Sequence, residues 1–266
     1  MINSRMLSPF SPSLPSSDHT LEDSERYTLD TALYLDRIMS STVLRAPKIA
    51  LLSGSLRKAS WNTTLVLAAG RALTRLGAPT SGVETTFVDL KDYADLPLYN
   101  EDLEVDGKLP EKAMELKAVL DEADAFVVAS PEYNGWPSSV LVNAYTWCSR
   151  GDDPSNMYAT FRGKSALVLS TSPGPLGGMR TLDPHRQLLT NLGVTVVPGS
   201  VAIGAAYKAF NEEGDLVDEK QIKMLDSSLM NLFEMARAKA NREALGQIVR
   251  NHIAGQYGSL SLPGEN

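Results

Sequence analysis

The residues most able to do chemistry lie in Leu51-Leu52-Ser53-Gly54-Ser55-Leu56-Arg57-Lys58-Ala59-Ser60-Trp61-Asn62-Thr63, where a short apolar run gives way to a hydroxyl-rich loop and then to a helix start. A helix N-terminus offers unpaired backbone N–H groups and a partial positive charge, so a phosphate placed there is favoured before any side chain acts. Ser55, Ser60, Asn62 and Thr63 add neutral donors and Arg57 a charged fork. The spacing matches neither the glycine pattern of dinucleotide-binding turns nor that of the P-loop. A bare strand–loop–helix with hydroxyls is also an ordinary βα turn, so the loop alone leaves the phosphate role about even with the bland one.

The elements that must position this loop follow from the pattern after Pro47. Short β-rich runs at Lys48–Leu52, Val83–Leu90, Ala125–Ser130, Ser165–Ser170 and Val194–Val197 alternate with helical stretches at 62–76, 111–122, 138–150 and 183–192. Such alternation predicts an α/β fold with a doubly wound five-stranded parallel sheet, order 2-1-3-4-5, and helices on both faces. Gly77 and Gly193 stand where a helix C-cap favours a left-handed residue. A last helix over about 218–245 offers Met224, Leu225, Leu229, Leu232, Phe233 and Met235 as a buried face. Residues 1–24 read as a disordered Ser/Pro-rich tail and 25–46 as a helical extension with an amphipathic stretch over 28–39 suited to an oligomer arm. Residues 47–250 form the domain, and 251–266 a C-terminal tail.

Composition narrows the function classes. The chain has 266 residues, 43% hydrophobic and 21% charged, with a net charge of −7. This balance opposes nucleic acid as a partner, and no run of about eighteen apolar residues suits a membrane span. Cys148 is the single cysteine, which excludes an internal disulfide and a self-contained iron–sulfur site; it reads as a buried packing residue, and Trp147 as core. His19, His185 and His252 are too far apart in sequence to suggest a metal site. A transit peptide is the rival reading of the first residues, and Asp18, Glu22, Asp23 and Glu25 weigh against it without removing it; a cytoplasmic location is expected, with organelle targeting by the tail as the alternative.

Ligands of doubly wound sheets bind beyond the carboxyl ends of the strands, beside the point where strand order reverses. Two further loops leave strands at that edge. One is Ser130-Pro131-Glu132-Tyr133-Asn134-Gly135-Trp136-Pro137-Ser138, and the other is Thr171-Ser172-Pro173-Gly174-Pro175-Leu176-Gly177-Gly178-Met179-Arg180. Together with the first loop they could hold one flat, phosphorylated cofactor.

Four segments taken in order resemble the NADPH-dependent FMN reductase family: Gly-Ser-Leu-Arg-x-x-Ser-x-Asn at 54–62, Leu-Pro-Leu-Tyr-Asn-Glu-Asp at 96–102, Ser-Pro-Glu-Tyr-Asn-Gly at 130–135, and Ser-Pro-Gly-x-Leu-Gly-Gly-x-Arg at 172–180. The likeness spans about 47–199. It implies a flavodoxin-like fold, non-covalent FMN, NADPH or NADH as hydride donor, quinones, free flavins or similar small-molecule acceptors, and assembly as a homodimer or homotetramer. Carried over by position, it assigns the FMN phosphate to Ser55, Arg57, Ser60 and Asn62, with Thr63 beside them. It assigns the ring and ribityl chain to Pro131, Glu132, Tyr133, Asn134 and Gly135, and the pyrimidine end to Ser172, Pro173, Gly177 and Gly178. Tyr133 and Arg180 are the expected acceptor-side residues. No side chain is expected to be catalytic in itself, because the hydride passes through flavin N5 and the protein supplies position and electrostatics. Val142 and Thr146 depart from a lysine and an aspartate common in the family, which bears on subunit contacts more than on flavin. The alternative is a flavodoxin-like electron carrier or flavin-binding redox sensor without NAD(P)H turnover.

Overall fold

Strands that read as near-continuous apolar runs persist only where both faces of a sheet are covered. The computed structural model describes residues 44–80, 82–105, 108–151, 157–199, 201–242, 244–247 and 249–250. It contains β1 (Lys48–Ser53), β2 (Glu84–Asp89), β3 (Ala125–Ala129), β4 (Ser165–Thr171), β5 (Thr195–Val196) and β6 (Val201–Ile203). Their order is β2-β1-β3-β4-β5, and every pairing is parallel. The expected sheet order is therefore found, with one difference. The fifth position is filled by two pieces: β5 pairs with the start of β4, Ser165 opposite Thr195, and β6 with its end, Leu169 opposite Val201. Pro198 and Gly199 intervene, the latter at φ +106°. A proline cannot donate to a ladder, so the pairing breaks there and resumes at Val201, carrying β6 up to the start of the third loop at Thr171.

Side chains alternate across the strands and so sort into two cores. Ile49 and Leu51 of β1 pack with α1 (Trp61–Gly77) and α5 (Glu219–Ala240). Ala50 and Leu52 pack with α2 (Glu111–Asp121), α3 (Ser139–Cys148) and α4 (Leu182–Asn191). Leu225, Leu229, Leu232 and Phe233 of α5 are buried as expected, while Met224 and Met235 are half-buried at the margin. The helix is bounded by Asp218, whose side chain accepts from Gln221 N, and by Asn241, whose carboxamide is exchanged with the backbone of Arg45. Arg45 in turn grips Asp124 through two 2.7 Å bonds.

Gly193 follows α4 at φ +81°, as a left-handed cap. Gly77 does not: it is the last residue of α1, and the left-handed residue is Gly82 at φ +77°. The backbone stays right-handed through Ala78, whose N–H closes on Thr74 O at 3.1 Å, so no left-handed residue is called for at position 77. Trp147 and Cys148 are fully buried, and burial pushes the Cys148 thiol up to about 12. The expected tail over 1–24, the amphipathic stretch over 28–39 and the C-terminal tail over 251–266 lie outside the described residues. Among the described residues no helix is long and apolar enough to cross a membrane, and no cluster of His, Cys, Asp and Glu could hold a metal.

Candidate functional site

The sheet brings the three loops to one edge, at the carboxyl ends of the neighbouring strands β1, β3 and β4. Strand order reverses between β1 and β3, which is where a crevice opens in this topology.

The first loop is held from both sides. Gly54 N–H donates to Ala129 O at 2.9 Å, and Ser138 Oγ donates to Gly54 O at 2.6 Å. Ser53 and Thr63 join hydroxyls at 2.6 Å across the loop base. Ser60 caps α1, its Oγ accepting from Thr63 N, and the first turn contains no acidic residue. Ser55 and Ser60 are buried, while Leu56 through Ala59 are exposed. Arg57 makes no ion pair among the described residues; its guanidinium lies 6.0 Å from the Trp61 ring, leaving the charge open to a ligand. This donor set, a capped helix start with hydroxyls, two cations, Arg57 and Lys58, that make no ion pair among the described residues, and no competing carboxylate in the first turn, fits a phosphate.

Asn62 has a further occupation that its sequence position does not reveal. Its Nδ2 donates to Thr171 O at 3.0 Å, and its Oδ1 accepts from Thr171 N at 3.1 Å. One buried carboxamide thereby latches the start of α1 to the end of β4, and the first loop to the third.

The second loop is a small hairpin. Tyr133 and Trp136 exchange backbone hydrogen bonds at 3.0 Å around Asn134 (φ +56°) and Gly135 (φ +78°), the two positive-φ residues that a type I′ turn requires. Ser130 ties the loop's ends, its Oγ donating to Pro131 O and accepting from Ser138 N. Pro131 is buried, whereas Tyr133 is 50% exposed.

The third loop lies against the backbone that follows β6. Ala205 N donates to Gly174 O and Ala206 N to Ser172 O, both at 3.1 Å. Gly177 (φ +60°) is so close that a Cβ would sit 2.5 Å from Ile203 C. At Gly178 (φ +79°) a Cβ would collide with Ser170 Oγ and reach within 3.4 Å of Glu132 Cβ. Gly177 N–H is spent on Gly174 O at 3.3 Å, whereas that of Gly178 makes no hydrogen bond among the described residues. Ser170 Oγ, beneath it, is buried without a partner. Arg180, expected as an open cation, is paired: its Nε donates to Glu132 Oε1 at 2.7 Å and its backbone N–H to Oε2 at 3.2 Å.

Beside the second loop runs a groove of about 540 Å³, lined by Leu98, Tyr133, Trp136, Pro137, Val142 and Thr146 among others, none of them charged. Leu98 is 80% exposed. The segment that carries it is fixed to α3, with Asn143 Nδ2 and Trp147 Nε1 both donating to Pro97 O, and Asn143 Oδ1 accepting from Tyr99 N. His185 is fully buried on α4, its Nε2 2.9 Å from Tyr145 Oη, and burial pushes its value down to about 3. It is a neutral packing residue.

The sequence profile described as NADPH-dependent FMN reductase matches residues 47–208. The chain is 37% identical over 188 residues to a protein named NADPH:quinone oxidoreductase from Arabidopsis thaliana, spanning 70% of this chain and 89% of that one. It is 33% identical over 186 residues to an NAD(P)H-dependent FMN reductase of Pseudomonas aeruginosa, covering 70% and 92% respectively. Among solved structures, the flavoenzyme NAD(P)H:(acceptor) oxidoreductase FerB of Paracoccus denitrificans superposes with a TM-score of 0.62 at 26% identity, over 73% of this chain and 99% of that one.

Proposed function

The chain belongs to the NADPH-dependent FMN reductase family, and from that premise we propose that residues 47–250 hold FMN across the three loops and pass reducing equivalents from NADPH or NADH to a quinone or a similar flat acceptor. The observation that carries this reading is the α1 start, where the open Arg57 and a first turn free of acid face the same sheet edge as the hairpin and the glycine-rich loop. The names of the relatives support a reductase over an electron carrier or a sensor.

FMN, when bound, supplies the two-electron chemistry at its ring, and the protein needs no nucleophile. Arg57 and the Ser55 and Ser60 hydroxyls bind the phosphate; Asn62 and Thr63 hold the loop in shape, Asn62 through Thr171 and Thr63 through Ser53 and the Ser60 cap. Pro131 through Gly135 form the wall along the ring and ribityl chain, and Tyr133 the shelf on which an acceptor stacks. Ser172, Pro173, Gly177 and Gly178 close the pyrimidine end. There the Gly178 N–H, which makes no hydrogen bond among the described residues, would be the donor available to negative charge on the ring of a bound flavin.

The neutral groove beside Tyr133, with Leu98 and Trp136 standing out from a rigid base, supports assembly as a homodimer or homotetramer through this face. The lone buried cysteine agrees with a cytoplasmic setting. The test is spectroscopic. Purified protein saturated with FMN and freed of excess should keep flavin absorption that bleaches on anaerobic addition of NADPH and returns with a quinone. Flavin retained but not bleached would favour a carrier, and no retained flavin would remove the assignment of all three loops. Sedimentation of the full chain, with and without Leu98→Lys, reads the assembly.

A further inference from the structure

Surface ion pairs seldom add much to stability, so one that joins two ligand-facing loops invites another explanation. Glu132 and Arg180 are 48 residues apart in sequence and belong to the second and third loops. The Glu132 side chain is 10% exposed and that of Arg180 70%. Both carboxylate oxygens of Glu132 are spent on Arg180, one on Nε and one on the backbone N–H. The carboxylate is thus largely shielded at the edge of the crevice, while the one countercharge it pairs with among the described residues stands out in solvent. Glu132 Cβ is also the nearest side-chain neighbour, after Ser170, of the space above Gly178. A largely shielded carboxylate anchored on the N–H of Arg180, two residues beyond Gly178, lies near enough to the Gly178 N–H to be felt by whatever that N–H addresses.

We infer that the Glu132–Arg180 pair is a charge-balancing device that sets the reduction potential of the bound cofactor, with Glu132 pulling it down and Arg180 restoring it; this rests on the FMN assignment above. The carboxylate disfavours negative charge gained on reduction, and the guanidinium offsets the carboxylate. Each residue acts through the field in the crevice as a positioning and tuning group, not as a catalytic one. An unbalanced unit charge at such a site, where the effective dielectric is about 20, shifts a binding equilibrium by about an order of magnitude.

The two half-pairs therefore have opposite signs. Arg180→Met leaves Glu132 uncompensated and should make reduced FMN bind about tenfold more weakly relative to oxidised FMN, lowering the two-electron potential by about 30 mV. Glu132→Gln removes the negative charge while keeping one of the two acceptor oxygens, and should raise the potential by a similar amount. The double variant should return close to wild type. The measurement is an anaerobic redox titration of each FMN-loaded protein against a dye of known potential, alongside the dissociation constant for oxidised FMN. Shifts of opposite sign, with near-restoration in the double variant, support the device. Shifts of the same sign, no shift, or an equal loss of FMN from both single variants would overturn it, since a merely structural clamp fails alike from either side. If wild-type protein itself does not retain FMN, the cofactor assignment fails instead, and the two failures are told apart before any variant is made.

Discussion

Arg57→Ala is the substitution that isolates the phosphate cradle. Arg57 is exposed, its guanidinium makes no ion pair among the described residues and lies 6.0 Å from the Trp61 ring, and its one hydrogen bond among them, from the backbone N–H to Ser55 Oγ, survives in alanine, so its removal takes little from the apoprotein; surface changes of this kind stay within about 0.5 kcal/mol of stability. The loss falls on the ligand. A hydrogen bond to a charged group is worth about 1.5–3 kcal/mol, which corresponds to roughly a ten- to hundredfold or greater rise in Kd at about 1.4 kcal/mol per decade. Titration of apoprotein with FMN, followed by flavin fluorescence, measures it. Riboflavin in the same assay supplies the control, because it has the ring and ribityl chain without the phosphate. Arg57→Ala should weaken FMN by that factor and leave riboflavin nearly unchanged. FMN affinity equal to wild type would refute the cradle, and a parallel fall for riboflavin would show that Arg57 shapes the loop and does not read the phosphate.

Gly178→Ala should cost about 2–4 kcal/mol, combining the left-handed penalty with a collision against Ser170 Oγ; a urea midpoint equal to wild type would show that the loop yields instead. His185 makes stability fall with acid. Its value in the fold is about 3 against 6.5 for the free side chain, so the unfolded chain binds the extra proton between those values and stability drops as pH falls through that window. From pH 7 to 5 this amounts to about 2 kcal/mol, and urea melts of His185→Gln should show a correspondingly smaller difference between the two pH values. Cys148, buried with its thiol pushed up to about 12, should resist thiol reagents in the native protein and react on unfolding; rapid labelling of folded protein would contradict its burial.

Much of the fold is written in local pattern. The apolar runs of β1, β3 and β4 are unbroken because both faces are covered, and the same runs give the sheet and its edge of loops. Asn134-Gly135 between Tyr133 and Trp136 likewise specifies its own turn. What escapes the pattern depends on residues distant in sequence. The split of the fifth position into β5 and β6 is marked by Pro198-Gly199, but only the pairing partners on β4 make it a break within one sheet position. Gly77 has the place of a cap in sequence, but the backbone stays right-handed through Ala78 and reaches a left-handed residue only at Gly82. Arg180 looks like a free cation until Glu132 is placed beside it, and Asn62 looks like a ligand donor until Thr171 meets both ends of its carboxamide. The Leu-Pro-Leu-Tyr-Asn segment carries a resemblance in sequence, yet its fixing by Asn143 and Trp147 is visible only once α3 is in place.

The Asn62–Thr171 latch spans 109 positions of chain, and its length has a consequence for biosynthesis. During vectorial synthesis the phosphate loop emerges early, but the carbonyl and amide that hold Asn62 emerge only with the end of β4. Until that strand docks, the early loop lacks its buried tie, and cofactor capture waits on nearly the whole sheet. A ligand that binds only the finished state draws the folding equilibrium toward it in proportion to its free concentration over Kd. The supply of FMN in the cell thus acts on how much of this chain survives quality control, and scarcity of flavin should lower the amount of protein as well as its activity.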